Sequence, residues 1–234
     1  MAIDTPAAQQ GTSDTSRAAA TPERSLVLAY VAAPRRAALA ALFALDDTLA
    51  DIVRTTSEPL IGQMRLTWWH DALGKLDGAP PPAQPVLEAI ARDLIPCGVQ
   101  GSEVAAMIDG WDVLIEEAVL DAQALRRFGD ARGGTLFTLA ARALGGEDGA
   151  AVRSAGSGWA LADVARGLSN SAEAEGARGA ALEQLRAGLA QRWPGPLRPI
   201  GMLAHFARMD LEGGTPTGSP RRLGRVLWHR LTGR

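Results

Sequence analysis

From Thr21 onward the apolar residues of this chain recur three and four positions apart, in runs broken by proline and glycine, and no stretch sustains the apolar/polar alternation of a half-buried strand. That pattern leaves room for little except helices. The spacing predicts helices over 23–33, 35–54, 58–76, 84–95, 101–119, 122–145, 149–168, 178–192, 197–210 and 220–231. Gly78-Ala-Pro-Pro-Pro82, Pro96-Cys-Gly98, Gly145-Gly146 and Pro194-Gly-Pro196 supply breaks between them. No internal repeat is present, which excludes a solenoid. With 234 residues the chain can bury a full core in one domain. The expected organisation is a disordered tail over 1–22, rich in Ala, Thr, Ser and Gln, followed by a single all-α domain over 23–234.

A net charge of −2 gives no bulk attraction to nucleic acid, so no nucleic-acid partner is expected. Cys97 is the only cysteine; it excludes an intrachain disulfide and fits a reducing compartment. His70, His205 and His229 are scattered, without zinc-type spacing. The apolar stretches are interrupted by Asp, Arg and Gly and none is long enough to cross a bilayer, and residues 1–20 lack the basic start and apolar run of a secretory signal. A cytoplasmic protein, peripheral to a membrane at most, is the expectation.

The segment from Phe43 to Leu73 concentrates carboxylates, arginines and a tryptophan pair on two consecutive amphipathic helices. At about 100° per residue Leu42, Leu45, Leu49, Ile52 and Val53 form one stripe, and Asp47, Asp51 and Arg54 fall opposite it. Carboxylates four apart project from one face, so Asp47 and Asp51 suit Mg²⁺; a solvated face with an Asp51–Arg54 pair is the other reading. On the next helix, Ser57 is a candidate cap and Pro59 fits the first turn. Ile61, Met64, Trp68, Trp69, Ala72 and Leu76 spread over a broad apolar arc into which Glu58 and Arg65 project. A buried Arg65 needs a carboxylate, from Glu58 or another helix, or else an anionic ligand.

Gly133-Gly134-Thr135 lies within a helical pattern, where glycine is costly, and marks either a close helix crossing or backbone approach to a ligand; a phosphate-binding loop is excluded, because no strand precedes it and the Gly-Lys signature is missing. Pro220 to Arg234 holds five arginines and no acid beside Leu223, Val226, Leu227, Trp228 and Leu231. Two readings stay open: a terminal helix docked by its apolar side, and a basic amphipathic helix giving peripheral membrane contact through 220–234.

These segments together resemble the squalene/phytoene synthase family over most of the chain after residue 24. Ser25-Leu-Val-Leu-Ala-Tyr-Val-Ala-Ala-Pro-Arg-Arg36 is similar to its opening helix and Pro-plus-basic turn, and Ala38 to Leu45 to the helix bearing its first acidic motif. Arg132-Gly-Gly-Thr-Leu-Phe137 resembles the glycine-bearing middle helix, Gly158-Trp-Ala-Leu-Ala-Asp-Val-Ala-Arg166 the helix before the second acidic motif, and Leu197-Arg-Pro-Ile200 a late Arg-Pro helix. The resemblance implies an isoprenoid synthase-type helical bundle around a central cavity. It also implies transferase chemistry in active members, which join two prenyl diphosphates head to head using Mg²⁺ held by two Asp-x-x-x-Asp motifs. Departing diphosphate needs cationic stabilisation, and the carbocation left behind needs a dry aromatic pocket.

The chain departs from the family at those motifs. Aligned on Phe43-Ala-Leu45, the first motif falls on Ala50 and Arg54, three residues from Asp47 and Asp51, a rotation of about 60°. Aligned on Ala165-Arg166, the second falls on Gly167 and Ser171, with Asp163 one turn earlier. Gly176-Ala-Arg-Gly179 replaces a tyrosine-bearing segment. The Glu58-Pro-Leu-x-Gly-Gln-x-Arg-Leu-x-Trp-Trp69 stretch is most similar to a non-catalytic branch that includes the mitochondrial complex I assembly factor. The expectation is therefore a degenerate member acting as an assembly or prenyl-lipid-binding factor, with no residue assigned a catalytic role and no cofactor. Arg65, Arg36, Trp68 and Trp69 are its candidate ligand-binding residues, and a prenyl diphosphate, a lipid or a membrane-protein assembly partner is its candidate ligand. The alternative is an active Mg²⁺-dependent prenyltransferase, with Asp46, Asp47 and Asp51 on one helix and Asp163 on another as displaced metal ligands.

Overall fold

A computed structural model describes residues 22–213, 216 and 218–234, and among these there are helices and no strand. The tail expected over 1–22 lies outside the described residues except for Pro22, which opens the first helix. In chain order the helices are α1 Pro22–Ala29, α2 Ala33–Thr55, α3 Pro59–Lys75, α4 Pro85–Ala89, α5 Gly101–Ala105, α6 Ile108–Glu116, α7 Ala122–Phe128, α8 Thr135–Ala143, α9 Ala150–Gly167, α10 Ser171–Gly188, α11 Arg198–Glu212 and α12 Pro220–Thr232. No helix among the described residues is long and apolar enough to cross a membrane.

The long helices begin where proline fits the first turn and bury residues at helical spacing. In α2, Pro34 sits in the first turn and Ala38, Leu39, Leu42, Leu45, Leu49 and Ile52 are buried. In α3, Glu58 rather than Ser57 occupies the cap position, and the inward side is Gly62, Leu66, Trp69, Ala72 and Leu73.

Several predicted helices come out differently: the one over 23–33 ends at Ala29, and the one over 84–95 is α4 followed by a short π-helical stretch, Ile90–Leu94. The stretch over 101–119 is divided after Ala105, because the Met107 and Gly110 amides bond three residues back, to Val104 and Met107, and tighten the ladder out of α-geometry. The stretch over 122–145 contains a widened π segment, Gly129–Gly134, between α7 and α8. Helix α10 starts at Ser171 rather than 178, because the Asn170 side chain accepts the Ala172 and Glu173 amides at 2.9 and 3.3 Å. The glycines of Gly176-Ala-Arg-Gly179 lie inside that helix.

Helix α9 is central, packed along α10 and against the π segment, α8 and α11. The contact with the π segment is backbone on backbone: a Cβ at Gly133 would overlap the Gly156 carbonyl, and one at Gly156 would overlap the Gly133 carbonyl. Gly133 thus serves a close helix crossing, the first of the two readings left open for it. The crossing brings Arg132 against α2.

Candidate functional site

The acidic helix α2 faces α9 across a buried cluster of charge. Asp46 occupies its centre and is fully buried. Arg132, from the π segment, holds it with a fork: Nε donates to Oδ1 at 2.9 Å and Nη2 to Oδ2 at 3.0 Å. Arg24, from α1, donates from Nη2 to the same Oδ2 at 2.5 Å and from Nη1 to Asp47 Oδ1 at 2.7 Å and the Phe43 carbonyl at 3.1 Å. The third nitrogen of Arg132, Nη1, lies 2.8 Å from Asp163 Oδ2 on α9, and Arg166 takes the other Asp163 oxygen at 2.6 Å. Arg24 and Arg132 are almost fully buried.

Aromatic rings enclose the guanidinium groups. Arg132 lies 4.1 Å from the Trp111 ring centre, 5.0 Å from Trp159 and 5.6 Å from Phe128. Arg24 lies 4.9 Å from Phe43 and 5.3 Å from Trp159. The rings' negative faces stabilise cations that have lost most of their water.

Burial alone would raise the Asp46 pKa, but the charges of Arg132 and Arg24 and their hydrogen bonds prevail and hold it below the ordinary carboxylate value. Asp163 follows the same pattern, with Arg132 and then Arg166 overcoming burial. Asp47 goes the other way, raised by burial against the pull of Arg24. Arg132 is held firmly protonated, the charges of Asp46 and Asp163 outweighing the cost of its burial.

Of the candidate metal ligands, Asp47 and Asp163 come to this cluster and Asp51 does not. Asp51 is exposed and paired with Arg54, as the solvated reading of that face has it. Among the ligand-binding candidates, Trp68 and Trp69 meet edge to face at 5.4 Å, with Trp69 buried and Trp68 half exposed. Arg36 donates to the Leu28 and Val31 carbonyls at 2.9 and 3.1 Å and closes the turn between α1 and α2. The expectation of a buried Arg65 is corrected: it is exposed and donates to Thr56 Oγ1 at 3.0 Å. The broad apolar arc misled, because its members Ile61, Met64 and Trp68 are themselves exposed and the buried side of α3 is narrower.

The residues at the heart of the cluster, Arg24 and Arg132, were missed. One signal was in the sequence: the spacing that turns Asp47 outward puts Asp46 about 40° from Leu42, inside the apolar stripe, where a carboxylate demands a cationic partner.

The sequence profile of the squalene/phytoene synthase family matches residues 18–179, well over half of the chain. The chain belongs to that family. Its all-α architecture is of the isoprenoid synthase type. No curated protein matches it at a significant level.

For a squalene/phytoene synthase relative the question is whether Mg²⁺ fits between the acidic helices, and here each of the clustered carboxylates is already held by an arginine. Asp46, Asp47 and Asp163 meet the guanidinium groups of Arg24, Arg132 and Arg166, so the charge of each is opposed by an arginine, which weakens its attraction for a dication. Among the described residues no group of three or more His, Cys, Asp or Glu side chains is arranged to hold a metal ion. The family positions themselves carry no ligands: Ala50 is apolar, Arg54 pairs with Asp51, and Gly167 and Ser171 are exposed at the end of α9 and the start of α10.

Proposed function

We propose that this family member is catalytically degenerate and works as an assembly or prenyl-lipid-binding factor. One observation carries the reading: guanidinium groups of Arg24 and Arg132 stand among the carboxylates of α2 and α9, where a Mg²⁺-dependent prenyltransferase needs metal and diphosphate. An arginine neutralises carboxylates permanently, whereas a metal ion arrives with the diphosphate and stabilises it as it departs. The aromatic rings that suit a carbocation are engaged with guanidinium instead. For an assembly role with a membrane-protein partner, the support is the resemblance of residues 58–69 to the non-catalytic branch, together with Leu60, Ile61, Met64 and Trp68, which leave an apolar surface on α3 open to solvent.

The test is direct. Purified protein incubated with Mg²⁺ and farnesyl or geranylgeranyl diphosphate is expected to release no pyrophosphate above a protein-free control. Mg²⁺-dependent release that Asp163→Asn abolishes would overturn the proposal in favour of the active prenyltransferase.

A further inference from the structure

Helix α12 is docked with the wrong face outward for a terminal helix that merely completes the core. At about 100° per residue its buried residues Arg222, Val226 and His229 fall within roughly 60° of one another. Leu223, Leu227, Leu231 and Trp228 cover an arc of about 140° on the opposite side, with only Pro220 and Gly224 among them. Their exposures are 42%, 41%, 74% and 57%. Arginines border both edges of that arc: Arg221 and Arg225 on one, Arg230 on the other. No acid occurs between Glu212 and the last residue of the chain.

The orientation is fixed from several sides. Arg222 pairs with Asp210 and Glu23 and lies 4.9 Å from the Phe206 ring centre. At the other end, Arg198 donates to the Leu231 carbonyl at 2.6 Å, Arg192 to that of Thr232 at 2.8 Å, and the Trp193 amide to that of Gly233 at 2.7 Å. These bonds satisfy the carbonyls a helix end leaves open and prevent α12 from rolling its leucines inward.

Beside the Arg221 edge lies a cleft of about 290 Å³ lined by His205, Arg208, Met209, Glu212, Arg221 and Arg225. Glu212 engages Arg208 and Arg225 donates from Nη1 to the Arg234 backbone oxygen at 3.4 Å, while no ion pair of Arg221 or Arg225 with an Asp or Glu side chain is seen among the described residues. The buried His205 Nε2 has no hydrogen-bond partner in the described structure.

We propose that α12 lies in the surface of an anionic phospholipid bilayer, with Leu223, Leu227, Trp228 and Leu231 inserted among the acyl chains and Arg221, Arg225 and Arg230 at the level of the lipid phosphates. An apolar arc, a tryptophan and arginine at both margins are what an interfacial helix needs, and the positive margins select a negative surface over a second copy of the same arginine-rimmed face. The Arg208, Arg221 and Arg225 cleft receives a lipid phosphate, which would relieve the crowding of like charge there.

Flotation of the full chain with vesicles tests this. Three arginines near the surface predict a preference for vesicles of phosphatidylcholine with phosphatidylglycerol over pure phosphatidylcholine on the order of a hundredfold, weakened by salt. Leu227→Asp with Leu231→Asp, both exposed and therefore harmless to the fold as checked by circular dichroism, should weaken binding at least about tenfold. Brominated lipid should quench tryptophan emission, and Trp228→Phe should remove that quenching. Equal partition into neutral and anionic vesicles, undiminished binding by the double variant, or quenching that persists in Trp228→Phe would overturn the proposal. A dimer that the double variant dissociates, with no vesicle binding, would overturn it in favour of a second copy of the chain.

Discussion

Replacing Arg132 by methionine isolates the central charge of the buried cluster while keeping much of the side chain's bulk. The change removes a two-pronged contact with the fully buried Asp46, an ion pair with Asp163 at 2.8 Å, and the stacking on Trp111 at 4.1 Å. Breaking a buried pair by removing one partner costs about 3–5 kcal/mol, because a charge is left in a place with little water. Arg24 remains on Asp46 and Arg166 on Asp163, which puts the expected loss toward the lower end, about 3 kcal/mol. For a chain of this size that lowers the melting temperature by roughly 6–12 °C. Urea unfolding followed by circular dichroism gives the difference directly. The sign of its pH dependence follows from Asp46: its native pKa lies below the ordinary value of 3.8, so its contribution is complete above that value and lost as pH falls through the native pKa. The deficit of Arg132→Met should therefore be full at neutral pH and shrink only in strong acid. A deficit under about 1 kcal/mol at neutral pH, the range of a surface ion pair, would refute the reasoning.

The other expectations are simpler. Gly133→Ala and Gly156→Ala should each destabilise by more than the roughly 1–3 kcal/mol of ordinary overpacking, because the new Cβ meets backbone rather than a side chain that can turn away; thermal melts check this. Arg65→Ala should change stability by less than about 0.5 kcal/mol in the same assay, since the side chain is exposed. His205 and His229, buried 4.5 Å apart between ring centres, have pKa values lowered to about 3 and about 4, in each case first by burial and then by neighbouring positive charge. The unfolded chain then binds more protons than the native one below about pH 6.5, so stability falls as pH drops toward 4, by up to roughly 1.4 kcal/mol per pH unit for each histidine. Asp112, raised to about 6 by burial and by the nearby charges of Glu116 and Asp109, offsets part of this below pH 6. Urea midpoints at successive pH values should show the decline, and His205→Leu should flatten it.

The reach of sequence reasoning followed the range of the interactions involved. Helices α2 and α3 were legible to within about two residues, because Pro34 and Pro59 start them and apolar spacing runs their length. Helix α10 was not: its start was placed at 178, and the Asn170 cap puts it at Ser171. At the site, Asp47, Asp51 and Asp163 were visible as acids on helix faces. Asp51 stays with Arg54, an i,i+3 pair the local pattern shows, whereas Asp47 and Asp163 are drawn into the cluster by Arg24 and Arg132, which no local pattern connects to them. Arg24 and Arg132 reach Asp46 across 22 and 86 positions of sequence. Residue types four apart can say which face a carboxylate takes, but not what meets it there.

The cluster between α2 and α9 and the outward leucines of α12 are parts of one arrangement. From Asp163 the pairs continue through Arg166 to Asp210, then to Arg222 and to Glu23, next to Arg24 at the start of α1. Alternating charges therefore run from the interior to the C-terminal helix and back, joining α1, α2, the π segment, α9, α11 and α12. Within this arrangement Arg222 must face inward, since Asp210 and Glu23 are its partners and it is almost wholly buried. On a helix, fixing Arg222 inward also fixes Leu227 about 140° away and Leu231 about 180° away, facing out. The exposed apolar arc thus follows from the same run of ion pairs that holds Arg24 and Arg132 among the acids of α2 and α9. Arg222→Leu would remove the constraint: the helix would gain an apolar inner face, Asp210 and Glu23 would lose their partner, and the arc would be free to turn. If α12 acts on lipid as argued, that variant should bind anionic vesicles less tightly than the wild type although Arg222 itself never reaches the surface. Unchanged binding would show that the orientation of α12 does not depend on the ion pairs.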